Sequence, residues 1–390
     1  MKTKFLKTAF FVLLIAGATV ASLANDGAFY ANGAHLFPIT DSDISVKKEI
    51  LKITRLPGID SFGDEHVQID VYYEYYNDSA AKDIIVGFEA YAPHGDANGW
   101  HKNGEQRYIS NFTVRLNQLK LPYDVTIIKN DYFVYNGRIV GDTVPKSYDE
   151  GRDLWAHGQY MDFKYIYFFT AHFKKGLNVL KHSYTMPISG HVSNRMDIDY
   201  ILTAANRWAN RQIDDFTLIL DLKDTLPFRI QKTFFESGDD WECFGRTEEV
   251  GRTFPEEKRS IEFYTNGKPL VFRAKNFHPK GELKISQWTH TIPMDKFRFD
   301  YEKDTVIEWS AMRDKYFEAT DAFSYRVIRN LPFALKGYDF KNKAIKEFYL
   351  KQNWYKVDYS YVATHESLDD LGKMWLEEMD FINEQWLIKP

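Results

Sequence analysis

Apolar and polar residues alternate along most of the chain from Ile44 to about Ile285. A period of two predicts β-strands with one buried face. The clearest segment is 67–76, whose apolar row is Val67, Ile69, Val71, Tyr73 and Tyr75. Similar rows run through 161–173, 180–186 and 216–222. Because no helical segment separates these strands, we expect an antiparallel β-sandwich body rather than a parallel α/β sheet.

Short turn-forming segments separate several of these strands. Asn77-Asp78-Ser79 leads from the strand at 67–76 to a strand at 84–88, and Lys174-Lys175-Gly176 joins the strands at 161–173 and 180–186. Asn266-Gly267 predicts a type I′ turn between strands at 260–264 and 270–274. Each segment therefore predicts two antiparallel strands that pair with each other.

The apolar period changes to that of a helix after Glu318. Phe323, Val327, Ile328 and Leu331 share one helical face. Pro332 lies inside this pattern and is expected to kink the helix or end it early. Gly337 is expected to stop it.

Two more helices are predicted further on. The first is a short helix around residues 345–349. The second begins at a capping-box-like pair, Ser367 and Asp370, and its apolar residues repeat at three-four spacing as far as Trp386. The whole chain is therefore predicted to be mainly β with a helical C-terminal module, a β+α fold.

The first residues have the pattern of an export signal. Three lysines precede an apolar run at 9–20, and small residues end the pattern at Ala24. We expect cleavage after Ala24 and a soluble periplasmic or extracellular protein with no membrane span after cleavage. Loss of those lysines lowers the formal net charge from −5 to −8, which argues against a nucleic-acid partner.

The predicted boundaries follow from these patterns. Residues 1–24 are the signal peptide, and 25–225 form an antiparallel β-sandwich domain. Residues 226–315 form either a second β layer or a small β domain, and 318–386 form the helical module.

Two segments carry candidate ligand-binding residues. Asn206, Arg207, Trp208 and Arg211 combine an indole with polar side chains, which together can stack on and hydrogen-bond a sugar or a peptide. The alternative is that Trp208 anchors a loop in the core. Trp241 lies among acidic residues, as in a sugar-binding corner or a solvated acidic loop. No standard catalytic motif is present, so we predict no catalytic residue, no metal and no cofactor.

The C-terminal module, about 318–386, resembles the YARHG domain of exported bacterial proteins. The family has Arg-Asn on a first helix, then an aromatic residue followed by Ala-Arg-His-Gly, a further aromatic residue, and Trp-Tyr after a second helix. The matching residues are Arg329, Asn330, Phe333, Ala334, Gly337, Phe340, Trp354 and Tyr355. Leu335 and Lys336 stand where the family has Arg and His.

A second resemblance covers Asn25 to about Leu222, which looks like domain-of-unknown-function family 4424, also exported and bacterial. It rests on Asn25-Asp26, the segment 169–184, the segment 200–203 and the segment 208–218. Neither family implies an assigned catalytic activity. Both resemblances imply an exported location and an architecture.

The sequence thus favours a non-enzymatic bacterial envelope protein that binds a cell-wall glycan or another envelope protein. It would bind through its sandwich and its helical module, because aromatic-rich strands and loops offer broad surfaces with polar edges. One alternative is a hydrolase that acts on glycans or peptidoglycan with a pair of carboxylates. Another is a structural or assembly protein, for which an exposed apolar patch is expected.

Overall fold

The computed structural model describes residues 28–29, 33–34, 36–38, 43–56, 65–95, 97–98, 101–135, 138–143, 163–191, 194–223, 227–251, 258–288, 297–300, 305–308, 322–352, 355–369, 372–377 and 379–380. The signal-peptide prediction for 1–24 lies outside these residues.

The strands are, in chain order, β1 (Ala28–Phe29), β2 (Gly33–Ala34), β3 (Phe37–Pro38), β4 (Ser45–Leu56), β5 (His66–Asn77), β6 (Lys82–Tyr91), β7 (His94–Gly95), β8 (Ser110–Leu116), β9 (Leu119–Lys120), β10 (Asp124–Tyr135), β11 (Arg138–Thr143), β12 (Lys164–Phe173), β13 (Gly176–Pro187), β14 (Ser189–His191), β15 (Asn194–Ile201), β16 (Ile213–Asp221), β17 (Phe228–Gln231), β18 (Trp241–Glu242), β19 (Arg246–Val250), β20 (Ser260–Tyr264), β21 (Leu270–Phe277), β22 (Leu283–Trp288), β23 (Phe297–Asp300) and β24 (Thr305–Glu308). The α-helices are α1 (Ala322–Arg329), α2 (Leu331–Leu335) and α3 (Lys343–Leu350), and residues 372–377 are also helical.

The strands form three large sheets, and β23 pairs with β24 separately. An eight-stranded sheet has the order β18-β21-β16-β4-β5-β13-β8-β9, and a five-stranded sheet has the order β11-β10-β12-β6-β3. A nine-stranded sheet has the order β19-β20-β17-β22-β15-β14-β1-β7, with β2 beside β15. The pairings are antiparallel except for β4 with β16 and β2 with β15. The predicted β-rich body with a helical C-terminal module is confirmed.

The inner face of the eight-stranded sheet packs against both other sheets. Near β13 it contacts the five-stranded sheet, where the rings of Tyr184 and Phe88 lie 5.0 Å apart. Near β18 it contacts the nine-stranded sheet, where the rings of Trp241 and Phe263 lie 5.3 Å apart. The predicted apolar row of β5 is buried on this inner face. Burial of these aromatic side chains is the main source of the body's stability.

One buried carboxylate interrupts the apolar face of β4. The register between β4 and β5 shifts between Val46 and Lys48, and after this irregularity Glu49 points inward. Glu49 is 0% exposed and lies opposite Tyr73. Burial, and after it the charge of Glu49, holds the pKa of Tyr75 well above its usual range.

The three predicted strand pairs are wrong in the same way. β5 belongs to the eight-stranded sheet, whereas β6 belongs to the five-stranded sheet. β12 and β13 are likewise divided between these two sheets. β20 lies in the nine-stranded sheet and β21 in the eight-stranded sheet.

Each of the three short connections therefore crosses from one layer of the sandwich to the other. The local turn chemistry is nevertheless as expected, because Asn266 and Gly267 have φ of 54° and 74°, both in the left-handed region that a type I′ turn requires. Two of the corners lie together, and Asn77 Nδ2 donates a hydrogen bond of 3.4 Å to the carbonyl of Phe173. The apolar face of a strand is buried in either case, whether the next strand pairs with it in the same sheet or lies in the opposite layer.

Strands on both sides of the predicted boundary at 225/226 join the same sheets. β21 pairs with β16, and β22 pairs with β15. One continuous apolar cluster extends from Leu36 to Ile285. The division at 225/226 stays a prediction, and the geometry favours its second-layer form.

The C-terminal helices follow the predicted pattern closely. α1 ends at Arg329, and α2 begins at Leu331 with Pro332 in its first turn, so the proline separates two helices. The predicted start of the last helix is displaced. Ser367 belongs to a 3-10 turn that Thr364 caps, and the Asp369 carboxylate accepts a hydrogen bond of 2.8 Å from the Gly372 amide.

These helices enclose an apolar cluster of their own, from Val327 to Met379. Among the residues that the structure describes, it shares none with the cluster of the β-body. Within the described residues, every helix is too short or too polar to cross a bilayer.

Candidate functional site

The eight-stranded sheet has one face that points away from the core. The pairing of six adjacent strands aligns its side chains in rows across the sheet. The first row is Arg273, Thr217, Ile50, Tyr72, Lys181 and Arg115. The second row is Val271, Ile219, Lys52, Asp70, Ser183 and Thr113. We call these two rows the outer face.

Two shallow depressions cover this outer face. One lies over β5, β13 and β8, has a volume of about 410 Å³, and is lined by Lys52, Asp70, Tyr72, Arg115 and Lys181 among others. The other lies over β4, β16 and β21 and also has a volume of about 410 Å³. Ile50 lines both. The depressions therefore join into one surface across six strands.

Three of the six cations that line the two depressions have a carboxylate partner. Lys275 Nζ lies 2.9 Å from Asp215 Oδ1, and Arg273 Nε lies 2.8 Å from Glu242 Oε1. The Lys52 ammonium lies 3.8 Å from the Asp221 carboxylate. These three pairs neutralise three of the four cations in the half of the surface that β4, β16 and β21 contribute; the fourth is Lys48.

Arg115 and Lys181 differ from those pairs. They are exposed and lie directly opposite each other on β8 and β13. Within the part of the chain that the structure describes, neither makes an ion pair with a carboxylate. Like charges directly opposite in a sheet destabilise it. The pair therefore leaves a local excess of positive charge at this end of the surface.

Polar groups that can bind a sugar hydroxyl lie in the same depression. Thr113 Oγ1 and Ser183 Oγ are 2.8 Å apart, one row from the two cations. The Tyr72 hydroxyl donates a hydrogen bond of 2.9 Å to Glu74 Oε1. Partial burial, and after it this contact with Glu74, raises the pKa of Tyr72, so the phenol stays neutral near pH 7.

Trp208 lies in the core of the body. It follows a 3-10 helix at Thr203–Arg207 and is 1% exposed. Its indole Nε1 donates a hydrogen bond of 2.9 Å to the Leu36 carbonyl, and its ring lies 4.5 Å from that of Tyr75. The ring is closed to a ligand in this conformation, as in the anchoring alternative.

The polar neighbours of Trp208 lie closer to the surface. Asn206 Nδ2 donates a hydrogen bond of 2.9 Å to the Pro279 carbonyl. Arg207 is exposed and lies 3.4 Å from a carboxylate oxygen of Glu89. Arg211 is exposed, with a φ of 50°. Any ligand-binding role of this segment therefore depends on its polar side chains, and it remains a prediction.

Trp241 is also part of the core. It is 5% exposed, and its ring lies 5.1 Å from Phe272 and 5.3 Å from Phe235. The structure brings none of the five predicted ligand-binding residues onto the outer face. The closest link is Glu242, the neighbour of Trp241, which pairs with Arg273.

The motif residues of the C-terminal module hold its helices together. The Arg329 guanidinium binds both carboxylate oxygens of Asp380, at 2.6 and 2.9 Å. Asn330 Nδ2 donates a hydrogen bond of 2.7 Å to the Arg326 carbonyl. Phe340 and Tyr355 are buried in the apolar cluster of the module, with Phe333 packed against it. Trp354 lies outside the described residues.

Gly337 allows two segments of the module to approach closely. It has a φ of 78°, and its carbonyl accepts a hydrogen bond of 2.8 Å from the Asp358 amide. A Cβ atom at this position would lie 2.5 Å from the Lys356 carbonyl oxygen. Ala334, three residues earlier, is fully buried. Lys336 lies 4.0 Å from an Asp369 carboxylate oxygen, so the residue that replaces the family histidine has a structural contact.

Polar contacts join the module to the β-body at the Asn266–Gly267 corner. Lys268 Nζ lies 2.8 Å from Asp358 Oδ2. Asn266 Nδ2 donates a hydrogen bond of 3.4 Å to the Lys356 carbonyl. Lys356 Nζ also lies 5.0 Å from the centre of the Phe244 ring. We call this set of contacts the junction.

The buried carboxyl of Asp199 lies away from the outer face. Burial, and after it repulsion from Glu282, raises the pKa of Asp199. Asp199 pairs across the sheet with Lys284 and lines neither depression. Among the described residues, no three histidine, cysteine or acidic side chains are grouped as metal ligands.

Comparison with known families identifies the C-terminal part of the chain. The YARHG domain model matches residues 305–384. The YARHG domain therefore includes all three α-helices and the residues of the junction that follow them. The YARHG match covers no part of residues 25–222. Their resemblance to domain-of-unknown-function family 4424 stays a prediction. No curated protein is significantly similar in sequence to the chain.

Solved structures show distant likenesses. A proposed nutrient-binding protein of Legionella pneumophila is 15% identical, with 92% of this chain and 99% of that chain covered and a TM-score of 0.46. An M1 zinc metallopeptidase of Deinococcus radiodurans is 8% identical, with 74% of this chain and 53% of that chain covered and a TM-score of 0.21. No functional argument follows from scores this low.

Proposed function

We propose that this chain is an exported, non-enzymatic bacterial envelope protein that binds a cell-wall glycan through the outer face. The signal pattern of residues 1–24 and the YARHG domain, which occurs in exported proteins, support the location. The YARHG domain is attached to the body at the junction and offers a second surface for binding an envelope partner.

The observation that carries this proposal is the joining of two depressions at Ile50 into one surface across six strands. Neighbouring strands lie about 4.8 Å apart, so the surface extends for roughly 24 Å. Small ligands usually bind in pockets that enclose most of their surface. A long and shallow surface that combines hydroxyl and charged side chains with the aromatic ring of Tyr72 suits an extended polymer better.

Co-sedimentation with purified cell-wall glycan tests the proposal. We expect residues 25–390 to sediment with the glycan and the double variant Ile50→Asn/Tyr72→Ala to lose most of this binding. Arg207→Ala/Arg211→Ala is the matched control, because it alters the other candidate segment and is expected to bind normally. Full binding by the outer-face variant, or no binding by the parent chain, would contradict the proposal.

The same assay separates the alternatives. Protease treatment of the wall material before mixing abolishes sedimentation if the partner is an envelope protein, and it leaves glycan binding intact. Release of soluble sugar during incubation would instead indicate a hydrolase.

A further inference from the structure

We infer that Arg115 and Lys181 form a subsite for the carboxylate groups of an acidic polysaccharide. This inference rests on the proposed function and names the chemistry of the glycan. It begins from the direct opposition of two exposed cations on β8 and β13. Side chains that oppose each other in this way have Cβ atoms about 5 Å apart.

The nearby carboxylates are held by other groups. Asp70 Oδ1 accepts a hydrogen bond of 3.3 Å from Gln68 Nε2, and Glu74 Oε1 accepts one of 2.9 Å from the Tyr72 hydroxyl. The depression over β5, β13 and β8 therefore contains three cations and one carboxylate, Asp70. One of these cations, Lys52, already faces Asp221. Arg115 and Lys181 then exceed Asp70 by one positive charge, since the hydrogen bond from the neutral Gln68 amide leaves the charge of Asp70 in place.

This excess is local, because the whole chain carries a formal net charge of −5. Repulsion between two opposed cations destabilises the free sheet, and a bound anion relieves it. The geometry therefore favours a negatively charged ligand over a neutral glycan.

The neighbouring groups suit a sugar that carries an acid. A guanidinium binds a carboxylate through two parallel hydrogen bonds, and an ammonium adds a second positive charge beside it. The hydroxyls of Thr113 and Ser183 lie in the next row, within reach of a sugar ring that is held by its carboxylate. Since the surface continues over Ile50, further sugars of the chain can lie across the sheet.

Polygalacturonate and its fully methyl-esterified form provide matched probes, since they share a backbone and differ in charge. We expect residues 25–390 to bind polygalacturonate and to bind the ester roughly tenfold more weakly or worse, because about 1.4 kcal/mol of lost ionic contact corresponds to that factor. Added salt is expected to weaken the binding of the acid form and to leave the ester unaffected.

Two double variants locate the subsite. Arg115→Gln/Lys181→Gln is expected to bind the acid form as weakly as the ester. Lys174→Gln/Lys175→Gln removes the same charge from two exposed lysines in the turn between β12 and β13, outside the outer face, and is expected to bind the acid form within about threefold of the parent chain. Circular dichroism checks that both variants keep the β-rich spectrum.

Equal binding of the two polymers, or parent-like binding by Arg115→Gln/Lys181→Gln, would overturn this inference. If wall glycan still sediments with the chain in that case, the proposed function stands and only its acidic chemistry is wrong. If the parent chain binds neither the polymers nor wall glycan, the proposed function itself fails.

Discussion

Lys268 of the β20–β21 corner and Asp358 of the YARHG domain form an ion pair, with Nζ 2.8 Å from Oδ2. Lys268 is 43% exposed, whereas Asp358 is 6% exposed, so the carboxylate is nearly enclosed and the ammonium reaches it from the surface. Among the described residues, the apolar clusters of the two parts share no member. The described contacts of the junction are polar, apart from the position of Lys356 over the Phe244 ring.

Lys268→Ala is expected to loosen the junction. Cys243 is the only cysteine of the chain, is half-buried, and has a pKa that burial raises and nearby Lys356 partly lowers. Cys243 adjoins Phe244, over whose ring Lys356 lies, so its alkylation rate, corrected for the lower thiolate fraction once Lys356 moves away, reports opening of the junction. Loss of a partly exposed ion pair amounts to about 1 kcal/mol or less, so we expect a rate up to about fivefold higher. Lys343→Ala, which removes an exposed pair within α3, should leave the rate unchanged.

The same contact predicts opening of the junction in acid. The hydrogen bond from Lys268, followed by that from Ser360, lowers the pKa of Asp358 below its ordinary value of 3.8. A carboxyl whose folded pKa is lowered stabilises the structure above the unfolded value, and this stabilisation is lost as pH falls through the folded value. Reaction of Cys243 with a dipyridyl disulfide, which remains active in acid, should accelerate below pH 3.8. A flat profile down to the folded pKa would show that this ion pair does not hold the junction closed.

Removal of residues 318–390 is expected to leave a folded, β-rich body. The reason is that the apolar cluster from Leu36 to Ile285 is complete without the helices. Circular dichroism and urea unfolding of residues 25–317, compared with residues 25–390, provide the measurement. A disordered or mainly helical spectrum would show that the two parts need each other to fold.

Gly337→Ala is expected to destabilise the YARHG domain by about 1–3 kcal/mol, because alanine disfavours a φ of 78° and its Cβ would lie 2.5 Å from the Lys356 carbonyl oxygen. Gly251→Ala is the matched control, since no atom lies within 4 Å of the added Cβ. Urea unfolding followed by helix signal separates the two. Equal stability of the variants would mean that the backbone relaxes at Gly337 without strain.

Trp208→Ala is expected to lower the free energy of unfolding by about 3–5 kcal/mol, the range found for a large aromatic side chain removed from a core. Arg207→Ala removes a half-exposed contact with Glu89 and should change it by about 1 kcal/mol or less. Chemical unfolding gives both numbers. A Trp208 variant of normal stability that no longer binds wall glycan would instead support the ligand-binding interpretation of the segment.

Lys181→Gln is expected to stabilise the free protein by about 0.2–1 kcal/mol at low salt, because it removes a cation directly opposite Arg115. The gain should shrink as salt screens the repulsion. Lys175→Gln, an exposed lysine in the preceding turn, is the control and should have little effect. A loss of stability in Lys181→Gln would show that the two cations do not repel each other measurably.

The sequence predicts which side chains of a strand point into the core. It does not predict which strands pair with each other. Alternation placed Tyr73 and Tyr75 on the buried face of β5, and burial confirms it. The same alternation is satisfied when the next strand lies in the opposite layer, so Asn266-Gly267 fits a corner as well as a hairpin. Burial of Glu49 could not be predicted from the sequence either, because a register shift in β4 reverses which residues point inward.

The outer face was missed for a related reason. Its cations lie on β4, β8, β13 and β21, which are far apart along the chain and meet only through long-range pairing. No local pattern places Lys181 opposite Arg115. In the sequence, Trp208 and Trp241 stand beside polar residues, a pattern that suggests ligand binding. In the structure both rings are buried, and the polar residues belong to the strands and loops around them.

The Asn266–Gly267 corner has a mechanical consequence. It links a strand of the nine-stranded sheet to a strand of the eight-stranded sheet, and the YARHG domain is fastened to it through Lys268 and Asn266. While these two contacts hold, a displacement of the C-terminal domain acts on both layers of the sandwich through this one corner.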